Sequence, residues 1–443
     1  MSDSGPPETG ADPLDASGEW VDLRPGSDDC YACSTCDTNC PVAAVDDAFP
    51  GPKFQGPEQW RLSRADAPTI DPSIEDCSNC MRCDTACPSD VPLSEMHNRA
   101  RAEHVRSDRS TLSRTYWRNR LLANYRTAAR LASRLPRLAN AVMQFGPVRW
   151  LMERTLGVTA EREFPAFATE TFREWWAERG GHEASRIRAR EGRERLGLAP
   201  DADRRIAYFH GCYANYNTPE VARATVRVFE HFGYEVLVPE QRCSGTPMFA
   251  NGMLGDARRH AKVNVDSLGE AIAEGCAVIT SCTSCSMALR KEYPELFDLD
   301  GIDTVAEHTW EAMEFLRANT DVAEELAAGD VDEDEFGDLA YHAPCHARNQ
   351  GLDGQPLELF ADLSGASPAD VGDSCSGISG TYGWKDEHYE TSMAIGADMF
   401  EHMERVAGET GLTECPTCAS QMAHGTEYEV RHPLEVVEAA LCE

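Results

Sequence analysis

The sequence predicts a multidomain α+β protein, in which a small N-terminal α-helical module precedes two tandem α/β cysteine-rich repeats. Three observations carry this reading. Eight of the 18 cysteines form two copies of Cys-x-x-Cys-x-x-Cys-x-x-x-Cys-Pro; four others recur about 133 residues later; and the recurring cysteines follow short apolar stretches of strand length. At 443 residues the chain is longer than one core usually supports, so several domains are expected. The divisions read as an acidic, disordered tail (1–28), the helical module (29–105), an arginine-rich amphipathic connector (106–203), and two repeats (204–335 and 336–443).

The first motif is Cys30, Cys33, Cys36 and Cys40 before Pro41; the second is Cys77, Cys80, Cys83 and Cys87 before Pro88. This spacing is the bacterial ferredoxin run for two [4Fe–4S] clusters, in which the last cysteine of each run serves the other cluster. One cluster is therefore expected on Cys30, Cys33, Cys36 and Cys87, and the other on Cys77, Cys80, Cys83 and Cys40. Structural zinc sites also use Cys-x-x-Cys, but they call for two pairs, not a doubled triplet ending in Cys-Pro. Phe49-Pro50-Gly51-Pro52-Lys53 reads as an extended linker between the motifs, and Leu93 to His104 as a helix after them. The module is thus expected to be a helical ferredoxin.

The connector inverts the charge of the chain. From Arg99 to Arg154 there are 13 arginines against Glu103, Asp108 and Glu153, inside a chain of net charge −34. Arg126, Arg130, Arg134 and Arg137 recur at helical spacing. Trp117, Leu121, Tyr125, Leu131, Leu135 and Leu138 form an apolar stripe, with a kink expected at Pro136. Two readings stay open: a basic amphipathic helix lying in the headgroups of an anionic membrane, or a helix packed on its own protein with arginines facing water or an acidic partner. No run of about 18 apolar residues occurs to span a bilayer. The acidic balance repels nucleic acid, and with only four lysines it suits a salt-rich cytoplasm. Cysteine usage suits a reducing compartment, so the expected location is cytoplasmic, peripheral on the inner face of the cell membrane.

In the tandem repeats, Cys212, Cys243, Cys282 and Cys285 are answered by Cys345, Cys375, Cys415 and Cys418, at offsets of 133, 132, 133 and 133 residues. Ile206–Phe209 runs into Cys212, Ala277–Ile279 into Cys282, and Leu339–Tyr341 into Cys345, which predicts parallel α/β units with cysteines past the carboxyl ends of strands, where such sheets place ligands. Four thiolates per repeat match the donor set of one cubane cluster. Cys276 reads as a buried small hydrophobe and Cys442 as a free thiol. His210 and His342 fit either hydrogen bonds that tune a cluster or satisfied core histidines.

Together, Phe49–Lys53, Cys83-Asp84-Thr85-Ala86-Cys87-Pro88-Ser89-Asp90-Val91, Phe209-His210-Gly211-Cys212-Tyr213-Ala214-Asn215-Tyr216-Asn217 and Gly377-Ile378-Ser379-Gly380-Thr381-Tyr382-Gly383 resemble the iron–sulfur C-subunits of anaerobic glycerol-3-phosphate dehydrogenases, which carry two ferredoxin motifs and two CCG domains. The B-subunit of heterodisulfide reductase, the glycolate oxidase iron–sulfur subunit and lactate-utilisation proteins share the CCG domain, which leaves those complexes as the alternative. The resemblance implies an electron-transfer subunit passing electrons from a flavoprotein partner, with accessory subunits, toward the quinone pool. It also implies a further iron–sulfur cluster in each CCG domain. No Gly-x-Gly-x-x-Gly opens a helix, so substrate oxidation is expected on the partner and no catalytic residue is assigned here. One departure stands out: the paired cysteines of the CCG motif read Cys-Ser-Gly in both copies, at Ser244 and Ser376. The sequence therefore favours ordinary cubanes over five-thiolate clusters.

Overall fold

The computed structural model describes residues 29–59, 70–107 and 112–442. The tail expected to be disordered, 1–28, lies outside the described residues. Among the described residues up to Ser107 every element is helical. The two cysteine loops share one backbone device. Ala32 and Ser34 in the first, and Asn79 and Met81 in the second, have φ of 60°, 63°, 59° and 63°. Non-glycine residues rarely adopt this region, and here it tightens each loop so that neighbouring thiols turn to one side. Short helical turns, Thr35–Thr38 and Arg82–Ala86, follow each loop. The helix Leu93–Ser107 buries Leu93, Met96 and Ala100, at helical spacing, against Ile70, Ile74 and Val91.

Phe49–Lys53 is not an extended linker. Phe49 is buried beside Cys40, and Pro52 and Lys53 already lead into the π-helical turn Phe54–Glu58. Asp37 is the reason: it accepts from the Lys53 backbone N–H at 3.0 Å and pairs with its ammonium at 3.5 Å. Gly51, at φ 93°, is required there, because a Cβ would lie 2.6 Å from Asp37 Oδ1.

Among the described residues from Arg114 to Leu156 the connector breaks into four helices, Arg114–Ala123, Tyr125–Ala132, Pro136–Gln144 and Gly146–Leu156. Pro136 opens a helix where a kink within one was expected, since its missing N–H is harmless in the first turn. The stripe is also redrawn. Trp117, Leu121, Leu131, Leu135 and Leu138 are exposed, whereas Tyr125 turns inward, stacks on Phe167 and Tyr213, and donates to Asn217 Oδ1 at 2.7 Å. Beyond Leu156 the chain joins the first repeat: Phe172 enters its core, and the helix Gly181–Arg195 lies along β2 (Glu235–Leu237). Ser185 Oγ accepts from the Val236 N–H at 3.0 Å, covering a strand edge that would otherwise invite pairing. Gly192 lets that helix touch the next one, since a Cβ would meet the Glu230 carbonyl at 2.2 Å.

Each repeat is a four-stranded parallel sheet. The first pairs β1 (Arg205–Tyr208), β2, β3 (Ala277–Thr280) and β4 (Thr309–Glu311) in the order β2-β1-β3-β4. The second repeats that order as β6-β5-β7-β8, with β5 Gly337–Tyr341, β6 Ala366–Asp370, β7 Thr410–Leu412 and β8 Glu429–Arg431. Ile206 pairs with Ala277, and Leu339 with Thr410. The repeats embrace: the helix after the last strand of each, Ala312–Asn319 or Pro433–Leu441, packs against the other's early helix, Gln355–Leu359 or Pro219–His231. Residues of both sheets, among them Ile206, Tyr208, Leu339 and Tyr341, share one apolar core. An α-helical module followed by tandem α/β repeats is the fold class the sequence predicts.

Candidate metal centres

In the order β2-β1-β3-β4 the chain leaves β1 toward one side and returns on the other, so β1 and β3 form the switch point where such sheets bind ligands. Cys212 follows β1, and Cys282 and Cys285 follow β3; Cys345, Cys415 and Cys418 hold the same places after β5 and β7. Cys243 and Cys375 enter from the loops after β2 and β6. The sheets face each other across one cavity of about 420 Å³, and all eight repeat cysteines line it, together with Cys80 of the helical module.

The eight motif cysteines of the module divide between two smaller cavities, and the division crosses between the motifs. Cys30, Cys33, Cys36 and Cys87 line one; Cys40, Cys77, Cys80 and Cys83 line the other. Their settings differ. Cys33 is exposed, whereas burial pushes the Cys36 and Cys40 thiols up to about 12. Burial would raise Cys77 too, but the Arg101 guanidinium and a hydrogen bond with His97 hold it down at about 6. His97 bridges Cys77 Sγ (3.9 Å) and the Pro52 carbonyl (2.9 Å), and Arg101 donates to the Cys77 carbonyl at 3.0 Å.

In the repeats the thiols stand in neighbouring pairs: Cys212 beside Cys243, Cys282 beside Cys285, Cys345 beside Cys375, and Cys415 beside Cys418. In the second repeat the close approach of the two thiols splits their titrations, so Cys345 falls to about 7 while Cys375 rises. The serines that replace cysteine lie against the fourth thiol of each set: Ser244 Oγ accepts from Cys285 Sγ at 3.4 Å, and Ser376 Oγ donates to Cys418 Sγ at 3.3 Å. Among the described residues, no three His, Cys, Asp or Glu side chains are arranged to hold a single metal ion. A four-iron cluster would take four thiolates spaced farther apart than the ligands of one ion.

Over 416 residues the chain is 32% identical to the C-subunit of anaerobic glycerol-3-phosphate dehydrogenase of Escherichia coli (strain K12), covering 94% of this chain and 98% of the relative. The chain belongs to that family. A 4Fe-4S dicluster domain matches residues 26–91, and a cysteine-rich domain, CCG, matches residues 206–290 and again 339–423. More distant matches cover about half of the chain: lactate utilization protein A of Exiguobacterium sp. (26% identical, 53% of this chain, 95% of the relative) and the glycolate oxidase iron-sulfur subunit of Escherichia coli (strain K12) (28%, 54% of this chain, 58% of the relative). The dicluster match supports two [4Fe–4S] clusters in the helical module of this family member.

The family's two cysteine architectures are joined by direct contacts. Cys80 packs against Cys345 and Cys375, and Asn349 Nδ2 donates to the Cys80 carbonyl at 3.2 Å. Cys40, Cys345, Cys375 and Tyr382 form one buried cluster. Ser284, between Cys282 and Cys285, lies 3.8 Å from Cys415 Sγ and 3.0 Å from His346 Nδ1. The sets therefore run in the order Cys30, Cys77, Cys345, Cys212, named by one member each. The order in the chain is different: the module touches both repeats, and its Cys80 packs with Cys345 and Cys375 of the second.

Several residues around the thiols escaped sequence reasoning: His97, Arg101, Arg82 and the half-buried Arg126. A polar residue inside or just after a cysteine motif was the available signal for His97, Arg101 and Arg82; Arg126 carried none, because it looked like its exposed neighbours. His210 accepts from Arg173 Nε at 3.0 Å, and its other nitrogen lies 2.6 Å from the Gly211 carbonyl, so it serves the core and not a sulfur. His342 is wholly buried, and burial lowers it to about 3. Cys276 is buried in the first repeat's core, and Cys442 packs at the edge of the core shared by both repeats.

Proposed function

We propose that this chain is the iron–sulfur electron-transfer subunit of an anaerobic glycerol-3-phosphate dehydrogenase-like complex, taking electrons from a flavoprotein partner and passing them toward membrane quinone. The observation that carries the reading is the unbroken line of four four-cysteine sets, in a chain that matches such a subunit over 94% of its length. The glycolate oxidase and lactate-utilisation alternatives match only about half of it.

Cys30, Cys33, Cys36 and Cys87 would hold one [4Fe–4S] cluster, and Cys40, Cys77, Cys80 and Cys83 the second. Cys212, Cys243, Cys282 and Cys285, and Cys345, Cys375, Cys415 and Cys418, would each hold a further cluster in the shared cavity. Such clusters supply one-electron storage, and the chain's own residues set how easily each accepts an electron. Ser376 donates a hydrogen bond to Cys418 Sγ, and Ser244, 3.4 Å from Cys285 Sγ, would donate to that sulfur once it is a thiolate ligand, in place of a fifth thiolate. The exposed Cys33 offers the entry point for the flavoprotein. At the far end, Cys212 and Cys243 pack on Ala129 and Tyr125 of the connector.

Peripheral membrane attachment through that connector belongs to the same reading. No helix among the described residues is long and apolar enough to cross a membrane. The exposed Leu131, Leu135, Leu138, Phe145, Trp150 and Leu151, interleaved with exposed Arg130, Arg134 and Arg137, suit the headgroup layer of an anionic bilayer. The direct test is to mix the anaerobically reconstituted chain with its flavoprotein partner and glycerol 3-phosphate. Bleaching of the iron–sulfur absorption is expected; absorption that stays unchanged while the flavin is reduced would refute the electron-transfer role.

A further inference from the structure

Arg101, on the helix Leu93–Ser107, is almost wholly buried, and every acceptor it reaches among the described residues is neutral. Its Nη2 donates to the Cys77 carbonyl at 3.0 Å and to the Ile74 carbonyl at 3.3 Å. Its Nη1 donates to Asn98 Oδ1 at 3.2 Å, to Asn79 Oδ1 at 3.3 Å and to the Phe249 carbonyl at 3.5 Å. Nε finds no acceptor among the described residues. Cys77 and Asn79 belong to the second cysteine loop, so this cation lies directly against the backbone that carries Cys77 and Cys80.

A charge taken out of water ordinarily keeps a counter-ion, because burial alone is costly. The other cysteine set shows that ordinary arrangement. Lys53, which lines the cavity of Cys30, Cys33, Cys36 and Cys87, pairs with Asp37 at 3.5 Å and with Glu58 at 3.6 Å. Arg101 has neutral partners only, and the anion that suits it is a four-iron cluster on Cys40, Cys77, Cys80 and Cys83. Such a cluster on four thiolates is negative, and each electron it accepts adds to that charge. In a low-dielectric interior the charge is weakly screened, so a fixed cation nearby stabilises the reduced form more than the oxidised one. The need is local. Cys33 of the first set is exposed, whereas no cysteine of the second set is, so burial opposes reduction there.

On the reading that these four thiols hold a cluster, we propose that Arg101 is a positioning residue that raises the reduction potential of the module's second cluster. It offsets the effect of burial and keeps that cluster reducible by the first. The step it governs is a one-electron transfer: the first cluster is oxidised, the second is reduced, and no bond is made or broken.

The test is a redox titration of the full chain, purified without oxygen and followed by electron paramagnetic resonance, with iron and acid-labile sulfide measured first. The second cluster's signal is the one that Cys83→Ala removes. Arg101→Gln, at wild-type iron content, is expected to move that signal to lower potential by at least tenfold in its reduction equilibrium, about 59 mV for one electron. Arg101→Lys, which keeps the charge, should hold most of the wild-type value. A midpoint unmoved in Arg101→Gln, or an equal fall in both variants, overturns the proposal. Should Arg101→Gln lose its second cluster, Asn98→Asp decides, because it keeps the guanidinium and its acceptor while supplying the missing anion. Its midpoint should fall as well; an unchanged or higher midpoint, or loss of the centre there too, overturns the proposal. If Cys83→Ala removes no signal, the cluster assignment of this set falls and the arginine role with it. An intact signal with an unmoved midpoint overturns the arginine role alone.

Discussion

Arg118, on the first connector helix, grips Glu387 of the second repeat with both terminal nitrogens, each 2.5 Å from a carboxylate oxygen. The pair is lopsided: the arginine side chain is 3% exposed and the glutamate 45%. Arg118 also donates to the Gly157 carbonyl at 3.2 Å, so a single side chain ties the connector, its end and the second repeat together.

That clamp predicts an acid dependence. Partial burial would push the Glu387 carboxyl up, but Arg118 pulls it down to about 2 from an ordinary 4.5. A carboxylate depressed in the folded state contributes fully above its unfolded value, and the contribution fades as pH falls from about 4.5 toward about 2. Glu387→Gln should therefore lower stability at pH 7 by about 1 kcal/mol, Glu387 being half open to solvent. The difference should shrink steadily below pH 4.5, as measured by thermal unfolding of wild type and variant across that range. An equal deficit at pH 7 and pH 3 would refute the clamp.

The crossed cysteine sets make a second prediction. Because Cys87 lines the cavity of Cys30, Cys33 and Cys36, Cys87→Ala should abolish the centre of the first motif and spare that of the second. Cys40→Ala should do the reverse. Electron paramagnetic resonance of the reduced variants reads this directly, and loss of the second-motif signal in Cys87→Ala would show uncrossed ligation.

Membrane attachment is separable from cluster binding. Replacing the exposed Leu131, Leu135 and Leu138 by Ser, or Arg130, Arg134 and Arg137 by Gln, should abolish flotation with vesicles containing anionic phosphatidylserine, at unchanged iron content. Arg126 is left out of the set because it is half-buried on the helix whose Tyr125 and Ala129 pack on Cys212 and Cys243. Flotation that survives both triple substitutions would remove the connector as the attachment surface.

The packing of the helix Gly181–Arg195 predicts a purely structural effect. A methyl group on residue 192 would drive into the Glu230 carbonyl, which is backbone and cannot swing away. Gly192→Ala should destabilise by about 1–3 kcal/mol, seen as a lower Tm with unchanged iron content. A Tm equal to that of wild type would mean that the helices have room to separate.

Sequence alone was enough to find sixteen cysteines in their spaced motifs, the helical module, the duplication and its parallel sheets. Each of these is written in local spacing: a ligand loop needs fixed gaps, and a buried strand needs a short apolar run. Tertiary structure decided what no spacing encodes. It set the module against both repeats, turned Tyr125 inward while Arg130 stayed outside, and opened the apolar stripe of the connector to solvent. Those outcomes depend on which surfaces meet once the repeats close on one another, and residues hundreds of positions apart leave no periodic trace of that meeting.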